Sequence, residues 1–184
     1  AYYNNPASKL HADIQGIDVV PNAGPFGETW YISTDGGLYR STDLLVSVQN
    51  LSLAGLRVSQ YYSTHTSVAN ANHVVAGAQD QGYQRASVAP PSGSTNFAFA
   101  QLISGDYGHL TSGDGDHGFL FSVYPGFVLI QVGENNPTLV TEDFPAGEDH
   151  AWMPPVVADP LDARHFFLCA SRLYRYTKVS GNNW

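Results

Sequence analysis

The chain has 184 residues, enough for one ordinary domain with its own core, and only 13% of them are charged. Sixteen acidic residues against 8 basic ones give a net charge of −8, which excludes a phosphate-backbone binder and disfavours an anionic membrane surface, since both require clustered cations. Eighteen Gly, 11 Pro and 11 Tyr favour strands and turns over helices, because Gly and Pro punctuate while aromatic rings pack on pleated faces.

In chain order, the first predicted unit runs through Ile14-Gln15-Gly16-Ile17-Asp18-Val19-Val20, turns at Pro21-Asn22-Ala23-Gly24-Pro25 and returns in Thr29-Trp30-Tyr31-Ile32. It turns again at Asp35-Gly36-Gly37 into Leu38-Tyr39-Arg40. The second has Tyr61-Tyr62-Ser63-Thr64-His65, a turn at Asn70-Ala71-Asn72 and a strand at His73-Val74-Val75-Ala76-Gly77. The polar stretch at residues 87–95 reads as a long loop inside this unit. The third has Gly118-Phe119-Leu120-Phe121-Ser122-Val123, a Pro125-Gly126 turn and Phe127-Val128-Leu129-Ile130. The fourth has Pro155-Val156-Val157-Ala158, a turn at Asp159-Pro160-Leu161-Asp162 and Phe166-Phe167-Leu168-Cys169-Ala170. Strand, Asp/Asn/Pro turn, strand is hairpin grammar, since these residues favour turns and break ladders. No stretch has a capped 3.6-residue period, so almost no helix is expected.

Leu38-Tyr39-Arg40-Ser41, Tyr83-Gln84-Arg85-Ala86, Phe127-Val128-Leu129-Ile130 and Leu173-Tyr174-Arg175-Tyr176 align as equivalent segments. The markers Tyr39, Gln84, Val128 and Tyr174 are spaced by 45, 44 and 46 residues. A regular period of about 40–50 residues built of short strands is the sequence trace of a β-propeller. The expectation is an all-β propeller domain of about four blade equivalents, with repeat units at about 11–50, 51–100, 101–145 and 146–184. An incomplete ring would expose strand edges. The chain therefore reads as part of a larger propeller, or as a half closed by another chain, ahead of a compact four-bladed ring. Ala1 in place of Met suggests a processed or excised piece.

Two segments carry a more specific likeness. Thr177-Lys178-Val179-Ser180-Gly181-Asn182-Asn183-Trp184 and Ser41-Thr42-Asp43-Leu44-Leu45 are degenerate forms of Ser/Thr-x-Asp-x-Gly-x-x-Trp, the first with Val for Asp, the second with Leu for Gly. Together with His11-Ala12-Asp13-Ile14, the run from Ser33 to Asp43, Gly77-Ala78-Gln79-Asp80-Gln81-Gly82 and Ser112-Gly113-Asp114-Gly115-Asp116-His117-Gly118, the chain resembles Asp-box (BNR-repeat) propellers of the secreted xyloglucanase-like and sialidase-like kind. The resemblance implies a secreted or cell-surface, bacterial-like protein. Thr34-Asp35-Gly36-Gly37-Leu38-Tyr39-Arg40 is similar, with one residue deleted, to the setting of a catalytic Asp in the xyloglucanase family.

Candidate chemistry follows from the acidic turns. Glycoside hydrolysis needs two carboxylates across a sugar bond: Asp35 is the first candidate, and Asp80 or Asp114 the second, with Asp106 and Asp116 beside them. The competing reading is that each Asp caps its own turn. Asp114 and Asp116 also begin an Asp-x-Asp-x-Gly pattern that suits structural calcium, although no downstream Glu completes an EF-hand. Tyr61, Tyr107 and Trp152 are candidate sugar-stacking rings, alongside packing roles. Arg40, Arg85 and Arg175 recur at one strand position, which reads as structure rather than as a sialidase arginine triad. No His-Glu-x-x-His, Gly-x-Ser-x-Gly or nucleotide fingerprint is present.

Cys169 is the sole cysteine, which rules out an intrachain disulfide and is expected to be a buried thiol. Asn50-Leu51-Ser52 fits a glycosylation sequon. No apolar stretch reaches the length of a membrane span. The sequence reading is a non-catalytic secreted propeller module that binds polysaccharide or protein without cofactor beyond structural calcium. The alternative is part of a glycoside hydrolase of the xyloglucanase-like type with paired carboxylates.

Overall fold

The computed structural model describes residues 5–21, 23–56 and 58–184. Asn22, read as part of the first turn, lies outside them. Among the described residues fifteen strands form four antiparallel sheets, each following chain order. Sheet I contains β1 (Ile14–Pro21), β2 (Glu28–Thr34), β3 (Gly37–Ser41) and β4 (Gln49–Asn50). Sheet II contains β5 (Tyr61–Thr66), β6 (Val74–Ala78), β7 (Gly82–Ala86) and β8 (Ala100–Ile103). Sheet III contains β9 (Gly108–Thr111), β10 (Phe119–Tyr124), β11 (Phe127–Val132) and β12 (Thr138–Asp143). Sheet IV contains β13 (Val156–Ala158), β14 (His165–Cys169) and β15 (Leu173–Thr177). Among the described residues the helical content is one π-helical turn, Ser52–Leu56.

The four repeat markers fall on β3, β7, β11 and β15, the third strand of every sheet. The sequence period is therefore one four-stranded meander. The first strands pack side by side, β5 on β9 and β9 on β13, so sheets II, III and IV fan around a common line. This arrangement is consistent with successive propeller blades. No closed ring is formed among the described residues.

Two apolar layers join the fan. Between sheets II and III lie Val75, Tyr83, Tyr107, Leu110, Leu120 and Leu129. Between III and IV lie Phe121, Val123, Val128, Ile130, Val156, Ala158, Phe166 and Leu168. Strand alternation sends one face of β10 and β11 to each layer, which is why their apolar runs are continuous. Trp184, at the end of the turn that follows β15, packs edge-on to Phe119 and Phe121 with centroids 5.7 and 5.2 Å away. The other box-like segment is held by Ser41 and Asp43. The Leu45 N–H donates to Ser41 Oγ at 3.0 Å and the Ser47 N–H to Asp43 Oδ1 at 2.9 Å.

Two expectations are corrected here. Cys169 is exposed, because alternation along β14 turns Phe166 and Leu168 to the core and the residues between and beyond them to the open face of sheet IV. Asn50 is buried, its amide donating to Gly36 O and its Oδ1 accepting the Ser52 N–H. The folded chain thus presents no sequon there.

Candidate functional site

Hairpins and crossovers from sheets I and II bring four aspartates to one end of the strands. Asp35 sits on the β2–β3 turn and Asp80 on the equivalent β6–β7 turn. Asp13 precedes β1, and Asp106 precedes β9 on the crossover from sheet II to sheet III. The Asp35 N–H donates to Asp13 O at 3.3 Å, and its carboxylate accepts the Gln15 side-chain amide at 2.8 Å. Among the described residues its carboxylate is therefore held by Gln15, in β1, and not by an amide of its own turn.

Asp80 is 6% exposed and takes a left-handed conformation, with φ of 52°. Its carboxylate faces His11 Nε2 at 3.1 Å. Because His11 Nδ1 accepts the Asp13 N–H at 3.3 Å, the geometry assigns the imidazole proton to Nε2, pointing at Asp80. The Asp80 N–H donates to Asp106 Oδ1 at 3.3 Å, the Gly105 N–H donates to Asp80 O at 3.1 Å, and the Tyr62 hydroxyl donates to Asp106 Oδ1 at 3.3 Å. Backbone dimensions then place the two carboxyl groups within about 7 Å of each other.

The electrostatics follow from this crowding. Burial pushes the Asp80 carboxyl above the usual range, as do the charges of Asp106, Asp35 and Asp13, while His11 opposes them. Burial, then Asp106, Asp80 and Asp35, push the Tyr62 phenol up to about 12.

Asp114 and Asp116 lie elsewhere. They sit beyond the far end of β9 from Asp106, about 13 Å of strand away, so Asp114 is not a partner for Asp35 or Asp80. Asp114 Oδ1 accepts the Ser112 hydroxyl at 2.9 Å and the Asp116 N–H at 3.2 Å, and Asp116 Oδ1 accepts the Gly118 N–H at 2.7 Å. Both are turn caps. No group of three or more His, Cys, Asp or Glu among the described residues is placed to hold a metal, so the calcium expectation finds no ligand set at Asp114 and Asp116.

The aromatic candidates separate as cleanly. Tyr107 is 1% exposed, packed between Tyr83, Tyr124 and Phe127. It is a core residue with no ring face for a sugar. Trp152 is 59% exposed between β12 and β13, on its own. Tyr61 is 41% exposed and lines an open cleft of about 780 Å³ with Ser52, Leu53, Leu56, Ser59, Gln84 and residues 95–99. There the Tyr61 and Phe99 rings stand 5.9 Å apart at 43°. The Tyr61 hydroxyl donates to Gln84 Oε1 at 3.2 Å, and Gln84 Nε2 donates to Ser59 Oγ at 3.3 Å. None of these lining residues is charged. Tyr61 faces this cleft while Tyr62, its neighbour on β5, reaches Asp106, so one strand borders both features.

The arginines do not converge. Arg40 bonds Gln49, Arg85 bonds the carbonyls of Glu134 and Asn135, and Arg175 meets Asp159, as a structural role requires. Asp106 was among the acidic turns read from the sequence; the contributions of His11 and Tyr62 to the Asp80 site, and of Phe97 and Phe99 to the cleft, were not. The signal available was placement: His11-Ala12-Asp13 and Asp106-Tyr107 each stand directly before a first strand.

No protein-family profile matches the chain, and no curated protein matches it. Among solved structures, the crystal structure of an ancestral GH74 enzyme aligns at 18% identity and a TM-score of 0.46, covering 98% of this chain and 24% of that one. The chain thus spans about a quarter of the length of that enzyme, and no residue role is transferred from it.

Proposed function

We propose that this chain is part of a secreted β-propeller that binds neutral polysaccharide in the cleft bordered by the Ser52–Leu56 turn, the second sheet and residues 95–99. The observation that carries this reading is the lining of the cleft. Side-chain hydroxyl and amide groups of Thr95, Asn96 and Ser59 stand among the rings of Tyr61, Phe97 and Phe99, with the buried Gln84 holding Tyr61 in place and no charged side chain among the described lining residues. Pyranose rings present apolar faces and a girdle of hydroxyls, so stacking plus neutral hydrogen bonding is the matching chemistry. The net charge of −8 works against polyanionic glycans.

Affinity electrophoresis through gels holding xyloglucan, hydroxyethyl cellulose or polygalacturonate tests this. The neutral gels are expected to retard the chain and polygalacturonate to leave it unretarded. Tyr61→Ala should weaken retention by roughly 2- to 10-fold, the value of one aromatic contact of about 0.5–1.5 kcal/mol. Equal mobility in all gels, or unchanged retention of the Tyr61 variant, overturns the reading.

A second reading has its own support. Asp80 and Asp106, no more than about 7 Å apart, are near enough to act across one glycosidic bond, with Asp35 at the same end of the strands. Release of reducing ends from the same polysaccharides, lost in Asp106→Asn, would establish hydrolysis; retention without release leaves binding alone.

A further inference from the structure

The joint between sheets II and III contains a second cluster, separate from the cleft and the aspartates. His65 on β5 and His117, just before β10, meet with Nδ1 to Nε2 at 3.1 Å and ring centroids 5.2 Å apart. His117 is 0% exposed, and its Nδ1 is buried without a protein partner. Around the pair, Asp114 faces His65, while Glu134, Arg85 and His73 face His117. Glu134 is already engaged, its carboxylate 2.8 Å from His73 Nδ1, and Arg85 holds the carbonyls of Glu134 and Asn135. The same joint is closed by the Val68 N–H on Gly115 O at 2.9 Å and the Leu110 N–H on Ser63 Oγ at 3.0 Å.

We propose that this joint is an acid-sensitive latch, closed while the His65–His117 pair carries at most one proton beyond those of its neutral rings and loosened when both imidazoles are charged. A hydrogen bond between two imidazoles needs one N–H and one lone pair. The neutral pair and the singly charged pair satisfy this, and a single charge sits on His65, where Asp114 favours it. A second proton sets N–H against N–H and puts a charge on a ring that reaches neither water nor a free carboxylate, which burial makes costly. Loosening the joint uncovers the layer of Val75, Tyr83, Tyr107, Leu110, Leu120 and Leu129.

The direction is fixed by linkage. Burial first, then His65, hold His117 at about 4, below its ordinary 6.5, and burial lowers His65. The folded state binds fewer protons than the unfolded one, so stability falls as pH drops from 6.5 towards 4. The carboxylates held low, Asp43, Glu134, Glu148, Asp159 and Asp162, add a loss of the same sign from about pH 5.5 downward, so the latch is read above that pH and, below it, from the difference between wild type and variant.

Thermal or urea unfolding of the whole chain between pH 4 and 8 tests the latch, with His65 and His117 imidazole signals followed by NMR over the same range. The wild type should lose up to about tenfold in its folding equilibrium per pH unit per proton, and His117→Gln, which keeps a neutral hydrogen-bonding group, should flatten that slope. An unchanged slope in His117→Gln, or a His117 signal titrating near 6.5, overturns the proposal. Should His117→Gln fail to fold, the His117 titration in the wild type and the slope in His65→Gln decide the matter.

Discussion

Gly77 offers a sharp test of how the aspartate end is held. It lies in β6, paired with Tyr83 and Ser63, and an added Cβ would stand 2.0 Å from Tyr107 O and 2.7 Å from Tyr107 C. Ordinary contact begins beyond 3 Å, so the Tyr107 backbone would have to retreat by about 1 Å or more. It has little freedom to do so, since the Tyr107 ring is locked against Tyr83, Tyr124 and Phe127. Overpacking of this kind costs about 1–3 kcal/mol, and rigid surroundings place Gly77→Ala at the upper end, a fall of about 5–10 °C in Tm for a chain of this size. The displaced residue adjoins Asp106, so the Asp80 and Tyr62 bonds to that carboxylate should loosen too. Gly27→Ala is the control: it has φ of 82° but nothing within 4 Å of the new Cβ, and should cost about 1 kcal/mol of backbone strain. If the two variants unfold within about 0.5 kcal/mol of each other, close approach at Gly77 is not what holds the crossover.

Two further outcomes are expected. Leu44 and Leu45 hold φ of 59° and 67°, and Leu45 stands where the box pattern has Gly, so Leu45→Gly should stabilise the fold by about 1 kcal/mol by relieving left-handed strain; a Tm equal to or below the wild type's in calorimetry contradicts this. Asp80 has a raised pKa in the fold, so it favours the folded state below pH 3.8 and disfavours it as pH rises through its folded value. Asp80→Asn, tolerated at positive φ, should therefore flatten the stability profile on that side of the carboxylate range, and a urea midpoint profile matching the wild type's across pH 3–7 counts against the crowding of charge described here.

The sequence made the third strand of each sheet legible because its residue pattern repeats, and in sheets I to III it pairs with a strand on either side. It left β9 unseen, since Gly108-His109-Leu110-Thr111 offers one large apolar side chain and its burial comes from β5 and β13 rather than from its own pattern. The outer strands β4, β8 and β12 were hidden for a similar reason, being defined by pairing more than by composition. At the site, Asp35 and Asp80 could be picked from their Gly-flanked turns. Their grouping could not, because it depends on His11 reaching Asp80 and Tyr62 reaching Asp106, contacts fixed only by the fan of sheets. Tyr107 failed as a sugar platform for the same reason that Gly77 is a glycine: the two backbones meet there.

The same topology accounts for the contrast between acidic turns. In an antiparallel meander the β2–β3 and β6–β7 hairpins emerge at one end of their sheets, and the crossover into the next first strand returns to that end. Asp35, Asp80 and Asp106 therefore share a rim by construction of the chain path. Asp114 and Asp116 follow β9 and emerge at the other end, where Ser112 and the Asp116 and Gly118 amides absorb their charge. Asp80 instead sits on a left-handed backbone, with its carboxylate against a buried imidazole and its N–H on a neighbouring carboxylate. An acid held in so crowded a setting, next to a cleft of neutral amides and rings, is where a function on this chain is best sought.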